Sequence, residues 1–255
     1  MTAETNIEIQ NVVFACPGNS KESYDRGGRA LATFYADLLG MRIAREDWFV
    51  LEDADDLDGL NLAFGDGPID YRPPRWPDSE SPQQMHLDIS VRDLDDAEQR
   101  TLKLGASKLQ DNASFRVYAD PDGHPFCLYG TATQAAPRIE RVVLDCFSPR
   151  SLADFYASLL DMPNRELDTP ERVVIARSDG RLPALAFQHA QFPAPRWPDP
   201  AHPQQVHPDL RVVEPNAPRM HAARELAEQL GAIRLPDEGL GHRVYADPAG
   251  HPFCL

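Results

Sequence analysis

The chain has 255 residues, of which 42% are hydrophobic, a composition typical of a globular protein with room for two modest domains. A formal net charge of -15 at pH 7 argues against binding to nucleic acid or to anionic membrane surfaces. The amino terminus lacks the basic start and apolar run of a signal peptide, and no stretch is long and apolar enough to span a membrane, so we expect a cytoplasmic protein.

The first predicted elements are a strand, a helix and two short strands. VVFAC (12–16) is a β-branched run typical of a strand, and LATFYADLLGM (31–41) has apolar residues at helical spacing. WFVL (48–51) and NLAF (61–64) are predicted to be strands. The polar segment 20–28 is predicted to be a loop or the start of the helix.

A second strand–helix–strands unit follows the loop PRWPD (74–78). QMHLDISV (84–91) alternates apolar and polar residues, as a half-buried strand does. The next helix is predicted to end at Gly105, because glycine is a common residue just after a helix C-terminus. RVYADPDGHPFCL (116–128) is predicted to form strands on either side of the DPDG turn.

The second half of the sequence repeats the first in the same order. LADFYASLLDM (152–162) matches 31–41, and RVYADPAGHPFCL (243–255) matches 116–128. Such ordered matches predict an α+β protein of two homologous domains, which we place at residues 1–132 and 137–255. The other elements predicted for the second half are strands at 142–146, 172–176 and 184–187, a helix starting at Ser148 and Pro149, and a helix ending at Gly231.

The histidine of the repeated strand is predicted to point away from the core. Side-chain alternation puts His86 on the polar face of its strand together with Asp88, and the second half repeats this with His207. On the last strand of each half, the same rule puts Cys127 and Cys254 on the polar face. A histidine and a thiol could then meet on one concave surface in each half.

Further aromatic and polar residues are candidates for ligand binding. Trp76 and Trp197 could stack on a flat ligand or plug the end of a sheet. Gln84 and Gln205 could orient a ligand or hydrogen-bond to the loop backbone. Asp145 could face a ligand from the first strand of the second half or pair with a nearby arginine.

The motifs FYADLLG, HLDISVRDLDDA and DPDGHPF, at these intervals, resemble the vicinal oxygen chelate superfamily. This superfamily includes glyoxalases, bleomycin-resistance proteins, methylmalonyl-CoA epimerases and extradiol dioxygenases, and the sequence is most similar to its glyoxalase-like branch. The resemblance covers essentially the whole chain, in two copies. It implies two homologous domains, each of two βαβββ modules with curved mixed sheets around a cavity, where His, Gln or Glu side chains hold a divalent metal.

The resemblance carries the family's metal-ligand positions over only in part. His86 and His207 stand where the family often has a ligand histidine, whereas Cys127 and Cys254 stand where it normally has a glutamate. A His and Cys pair would favour zinc or a similar ion, one per cavity. Alternatively, the histidines line a cavity and are hydrogen-bonded to Asp or Gln, and the cysteines are small buried residues.

The two remaining metal-ligand positions of the family carry few side chains that could bind a metal. The mid-strand position corresponds to Ala63 and Ala186, neither of which can bind a metal. The first-strand position falls near Asn11 or Arg141, with Asp145 as a possible substitute. The sequence therefore predicts no standard glyoxalase metal site, and it assigns no catalytic residue.

These observations favour a small-molecule-binding protein of the resistance or sequestration type with a degenerate metal site. The alternatives are a divalent-metal-dependent lyase, isomerase or dioxygenase, and a scaffold whose cavity is filled by side chains. The fused chain would resemble a homodimer of single-domain relatives, so we expect a pseudo-dimeric monomer, or a homodimer of such chains. Its cavities would lie either within each copy or between modules of the two copies.

Overall fold

A computed structural model defines the fold of most of the chain. Within the part of the chain that it describes, sixteen strands form two eight-stranded sheets, accompanied by four α-helices. The predicted α+β fold with two homologous halves is therefore confirmed. None of the described helices has the length and apolar character needed to cross a membrane. The described residues are 6–16, 20–56, 59–66, 71, 73–77, 82–133, 135–191, 204–236 and 242–255.

Each half contains two modules in which a strand is followed by a helix and further strands. The first half comprises β1 (Ile7–Cys16), α1 (Lys21–Leu39), β2 (Arg42–Arg45), β3 (Val50–Glu52), β4 (Asn61–Asp66), β5 (Met85–Val91), α2 (Leu94–Lys103), β6 (Ser107–Asp111), β7 (Phe115–Ala119) and β8 (Pro125–Gly130). The second half comprises β9 (Arg138–Cys146), α3 (Pro149–Leu160), β10 (Asn164–Asp168), β11 (Arg172–Ala176), β12 (Ala184–His189), β13 (Val206–Val212), α4 (Ala217–Gln229), β14 (Ile233–Arg234), β15 (Val244–Ala246) and β16 (Pro252–Cys254).

Each sheet combines one module from each half. One sheet has the order β10-β11-β12-β9-β5-β8-β7-β6, and we call it the His86 sheet. The other has the order β14-β15-β16-β13-β1-β4-β3-β2, and we call it the His207 sheet. The halves join through antiparallel pairs, β5 with β9 and β1 with β13. Of the two arrangements left open by the sequence, the structure therefore has the one in which the concave faces form between the two copies.

The helices and the inward face of the strands form one hydrophobic core. Leu31 and Tyr35 of α1 pack into it with Leu87 and Ile89 of β5, and all four side chains are at most 1% exposed. Burial of such apolar surface is the main force that holds helices on sheets. The opposite, concave face of each sheet is thereby left to the polar side chains of the alternating strands.

Three local predictions can be compared with the structure. The strand predicted at 48–51 begins only at Val50, because Trp48 and Phe49 have positive φ angles of 65° and 39° and lie in a 3-10 turn. Ser148 is the N-cap residue of α3, as predicted, but its hydroxyl contacts the Ser151 hydroxyl instead of a backbone N–H. The predicted helix ends are confirmed, since α2 and α4 stop just before Gly105 and Gly231, whose φ angles are 107° and 109°.

Candidate functional site

Three metal-binding side-chain types meet on the concave face of the His86 sheet. His86 and Asp88 project from β5, and Cys127 projects from β8, where its residue is paired with Asp88 across the parallel ladder. One ligand atom from each residue lies within 4.8 Å of those of the other two. We call this group the His86 cluster. Both side chains of β5 are almost fully enclosed, with 5% of His86 and 0% of Asp88 exposed.

Two arginines from the second half neutralise Asp88. Nε of Arg141 donates to Oδ2 of Asp88 over 3.0 Å, and Nη2 of Arg172 donates to the same oxygen over 2.7 Å. Arg141 lies beside Asp88 on β9, whereas Arg172 reaches it from β11, two strands beyond β9. A buried carboxylate without such partners would be strongly disfavoured. Asp88 therefore fixes the positions of both guanidinium groups.

Small apolar residues leave room for Arg172 to reach across the sheet. His86 lies opposite Val143, which in turn lies opposite Ala186. These two residues form a small apolar cluster with Val174, Ala176 and Ala184. The two positions directly across the strands from His86 thus carry side chains without a ligand atom.

The charges of the His86 cluster reinforce one another. Burial alone would lower the pKa of His86, but its interactions with Asp88 and Cys127 outweigh burial and raise the pKa above its usual range. Burial would raise the pKa of Asp88, but His86 and the two arginines lower it. Nε2 of His86 lies 3.5 Å from Oδ1 of Asp88, and Nδ1 of His86 has no hydrogen-bond partner among the described residues. This histidine is therefore favoured as a cation.

A cavity of about 160 Å³ opens beside the His86 cluster. One wall is aromatic: the rings of Phe115 and Tyr129 stack with centroids 5.2 Å apart, and the guanidinium of Arg141 lies 5.3 Å over Tyr129. The described residues that line the cavity are Trp76, Gln83, His86, Gln110, Phe115, Val117, Pro125, Cys127, Tyr129, Arg172 and Gln188.

Asp145 lies behind this lining and is held by two amides. Nε2 of Gln83 donates to its Oδ2 over 2.8 Å, and Nε2 of Gln188 approaches its Oδ1 at 3.4 Å. Oε1 of Gln188 also accepts from Nη1 of Arg172 over 3.2 Å. Burial raises the pKa of Asp145 despite the nearby positive charges. A continuous hydrogen-bond network thus runs from Gln83 through Asp145 and Gln188 to Arg172 and Asp88.

The His207 sheet carries an equivalent group with different neighbours. His207, Asp209 and Cys254 also bring one ligand atom each within 4.8 Å, and we call them the His207 cluster. Here Nδ2 of Asn11 donates to Oδ2 of Asp209 over 2.9 Å, and no described guanidinium forms an ion pair with this carboxylate. Asp209 is also less enclosed than Asp88, with 28% of its side chain exposed. Burial and the charge of Asp209 raise the pKa of Cys254.

The counterpart of Arg172 on the His207 sheet is a tryptophan. Val50 packs with Val13 and Ala63, and Val174 packs in the same way with Val143 and Ala186, so Val50 and Val174 are equivalent. Trp48 and Arg172 each precede these valines by two residues and are therefore also equivalent. The Trp48 ring lies against Gly65, where a Cβ atom would be 2.3 Å from two ring atoms. Glycine is therefore required for this close approach. Gly65 is the counterpart of Gln188, because it pairs with Ala15 of β1 as Gln188 pairs with Asp145 of β9.

The residues predicted from sequence fall in different places. Trp76 lines the cavity, whereas Trp197 lies outside the described residues. Gln84 and Gln205 connect the two halves: the backbone N–H of Gln205 donates to Oε1 of Gln84 over 2.9 Å, and that of Gln84 donates to Oε1 of Gln205 over 3.2 Å. These two side chains serve the loop backbone in the structure, the alternative role considered from the sequence.

Sequence reasoning missed several residues of the site. The sequence puts Asp88 on the same face as His86 and allows a hydrogen bond from the histidine to an aspartate, but it does not identify Asp88 or Asp209 as candidate metal ligands beside the cysteine. Arg172 and Gln188 were not considered, because their distance from His86 along the chain hides their proximity across the sheet. The only available signal was a polar residue at one end of each strand, Arg172 at the start of RVVIA and Gln188 near the end of ALAFQH.

The fold and the paired concave faces are those of a two-domain protein of the vicinal oxygen chelate superfamily. The family model for the glyoxalase-like domain matches the chain twice, at residues 25–129 and 141–255. The chain therefore belongs to the glyoxalase-like domain family, as a tandem member. A search of curated protein sequences finds no match.

Solved structures support the same fold at low sequence identity. Glyoxalase I from Zea mays is 13% identical, with a TM-score of 0.58 over 98% of this chain and 92% of that chain. A mutant of the same enzyme reaches a TM-score of 0.63 at 13% identity, over 98% and 93% of the two chains. A putative dioxygenase from Bacillus subtilis is 12% identical, with a TM-score of 0.56 over 96% and 83%.

The two clusters differ in how well they fit the divalent metal that this fold family implies. In the His86 cluster, one oxygen of Asp88 is already shared by two guanidinium groups, whose positive charges oppose the binding of a cation to the same carboxylate. This cluster does not fit a divalent ion. In the His207 cluster, imidazole, carboxylate and thiol have no competing guanidinium among the described residues, and this mixed donor set suits zinc or a similar ion.

Proposed function

We propose that the protein binds a small organic molecule, without a metal ion, in the cavity beside the His86 cluster. The single observation that carries this proposal is the double ion pair of Asp88 with Arg141 and Arg172. The two guanidinium groups provide the positive charge that a metal ion would otherwise provide at this place in the fold. The function is then recognition and retention of a ligand, as in a resistance or sequestration protein.

The walls of the cavity support binding. Small-molecule sites are mostly apolar concave surfaces with a few fixed polar groups. This cavity combines the stacked rings of Phe115 and Tyr129 with the amides of Gln83 and Gln188. Those amides are held by Asp145, so they lose little rotational freedom when a ligand binds.

Thiol protection in metal-free protein tests this proposal. The full chain is treated with chelator, shown to be metal-free by elemental analysis, and mixed with a set of small organic acids, amides and alcohols. Methyl methanethiosulfonate then modifies the cysteines, and mass spectrometry follows Cys127 and Cys254 in the same sample. We expect a compound in the set to slow modification of Cys127 while leaving Cys254 unchanged.

Two results would count against metal-free binding in this cavity. The first is that no compound protects Cys127 without added metal, although one does so when a divalent ion is present. The second is that compounds protect Cys254 instead. The variant Cys127→Ser controls for assignment of the modified peptide, and Cys254 is the matched control within each measurement.

A second candidate function is metal binding at the His207 cluster, with metal-dependent lyase, isomerase or dioxygenase activity. The specific observation in its favour is the convergence of His207, Asp209 and Cys254 within 4.8 Å, with a neutral amide, that of Asn11, donating to Asp209. A metal there would polarise an oxygen of the substrate. His207, Asp209 and Cys254 would hold it.

Cobalt(II) tests the second candidate without an activity assay, because thiolate ligation of cobalt gives a strong near-ultraviolet band. We expect Cys254→Ser to abolish the band and Cys127→Ser to retain it. If the wild type gives no band, or if Cys127→Ser abolishes it, the His207 cluster is not a metal site.

A further inference from the structure

The only permanently charged group among the described residues that line the His86 cavity is a cation. Arg172 contributes its guanidinium, and the described lining contains no carboxylate. The whole chain has a net charge of -15, so a positive lining runs against the average surface. A cavity with a cation and no lining anion favours an anionic ligand.

The nearby carboxylates are engaged behind the lining. Oδ2 of Asp88 accepts from Arg141 and Arg172, and both oxygens of Asp145 face the amides of Gln83 and Gln188. Neither carboxylate lines the cavity. Their effect is to position the donors that do line it.

Arg172 is rigid and retains hydrogen-bonding capacity. Nη2 of Arg172 donates to Asp88 and Nη1 donates to Gln188, whereas a guanidinium has five N–H donors in all. About a quarter of the side chain, 23%, is exposed. A guanidinium with a fixed plane is well suited to a carboxylate, whose two oxygens match its forked donors.

The apolar part of the cavity is flat. Phe115 and Tyr129 stack at an interplanar angle of 20°, and Trp76 adds a third aromatic side chain to the lining. Aromatic ligands gain from offset or edge contacts with such rings. A cavity of about 160 Å³ is suited to a body of roughly one ring.

We propose that the ligand of the His86 cavity is a small aromatic carboxylate, whose carboxylate binds Arg172 and whose ring packs against Trp76, Phe115 and Tyr129. The inference rests on the proposed function, since it names the chemical class of ligand for the same cavity. The His207 sheet lacks this capacity, because its counterpart of Arg172 is Trp48.

Calorimetric titration of the metal-free full chain tests the inference with three probes. Benzoate has the charge and the ring, benzamide has the ring without the charge, and cyclohexanecarboxylate has the charge without the flat ring. We expect benzoate to bind at least about tenfold more tightly than benzamide, because a charged hydrogen-bonded pair is lost in the amide. We expect benzoate also to bind more tightly than cyclohexanecarboxylate.

The variant Arg172→Gln locates the effect. It should reduce benzoate affinity at least about tenfold and bring it close to that of benzamide. Arg150→Gln is the matched control, since it removes the same charge from an exposed side chain paired with Asp168, and it should leave benzoate affinity unchanged. Because the probes are also compared on the wild type, the test does not depend on the folding of Arg172→Gln.

Failure of the inference can be told from failure of the proposed function. If the wild type binds benzamide as tightly as benzoate, or if Arg150→Gln loses as much affinity as Arg172→Gln, the assignment to an anion is wrong. If cyclohexanecarboxylate binds as tightly as benzoate, or if no probe binds although other compounds protect Cys127, the ligand is not an aromatic carboxylate. The proposal of metal-free binding is not affected by either result. If no compound of any class protects Cys127, the proposed function fails as well.

Discussion

The His86 and His207 clusters have the same three residue types on equivalent strands, and yet their surroundings differ in charge. Asp88 is fully enclosed and bound by two guanidinium groups, whereas Asp209 is partly exposed and bound by the amide of Asn11. In each case the arginine or asparagine partners of the aspartate come from the half of the chain that does not contain that aspartate. Both copies thus contain the same cluster of histidine, aspartate and cysteine. The residues that face the cluster across the sheet determine whether its aspartate binds arginines or could bind a metal.

The largest effect expected from this difference is on stability. Asp88→Asn leaves two partly buried guanidinium groups without their counter-charge, which should lower the free energy of unfolding by about 3 kcal/mol. The equivalent change Asp209→Asn affects a partly exposed carboxylate that has no guanidinium partner among the described residues and should cost only ~1 kcal/mol. Urea unfolding of both variants checks this. Equal losses would mean that the arginines do not distinguish the clusters.

The cost of Asp88→Asn should also depend on pH. Because the folded state lowers the pKa of Asp88, its stabilising contribution is present above the unfolded value of about 4 and is lost as the pH falls through the lower folded value. In urea unfolding between pH 7 and pH 3, the stability difference between wild type and variant should therefore begin to narrow below about pH 4. A difference that is constant over this range would show that charge is not the cause.

A smaller effect is expected where the two faces differ in shape. Gly65→Ala would bring a Cβ atom into the Trp48 ring, which is 48% exposed and can move outward, so we expect a loss of about 1 kcal/mol and a red shift of tryptophan emission. The counterpart change Gln188→Ala removes side-chain bonds without such a clash and should leave the emission unchanged. An unshifted spectrum for Gly65→Ala would show that the Trp48 ring does not lie against Gly65.

The smallest effect belongs to the exposed ion pairs outside both clusters. Arg150→Gln breaks a pair with Asp168 in which both side chains are substantially exposed, so the free energy of unfolding should change by at most ~0.5 kcal/mol. Thermal unfolding is sufficient to check it. A larger change would disqualify this variant as the control for Arg172→Gln.

The fold could be predicted from the sequence because its signals are local or repeated. The spacing of Leu31, Tyr35 and Leu38 defines α1, and the match between 116–128 and 243–255 reveals the duplication. Alternation along β5 also put His86 and Asp88 on the concave face. These inferences require only the geometry of single elements.

The composition of the site could not be predicted, because it depends on which strands become neighbours. Arg172 contacts Asp88 only because β9 of the second half pairs with β5 of the first half. The loop glutamines show the same limit, since Gln84 and Gln205 bond to each other across the halves. Trp48 illustrates a different failure, because its propensity favours a strand, whereas the structure has it in a 3-10 turn with its ring against Gly65.

The stoichiometry of benzoate binding to chelator-treated wild-type protein tests the central claim most directly. That claim is that the His86 cavity binds an anion through protein cations while the His207 face does not. Isothermal titration calorimetry at pH 7 should give one benzoate per chain, with no change in affinity or stoichiometry when zinc is added. Two equivalent sites per chain, or binding that appears only with zinc, would contradict the account.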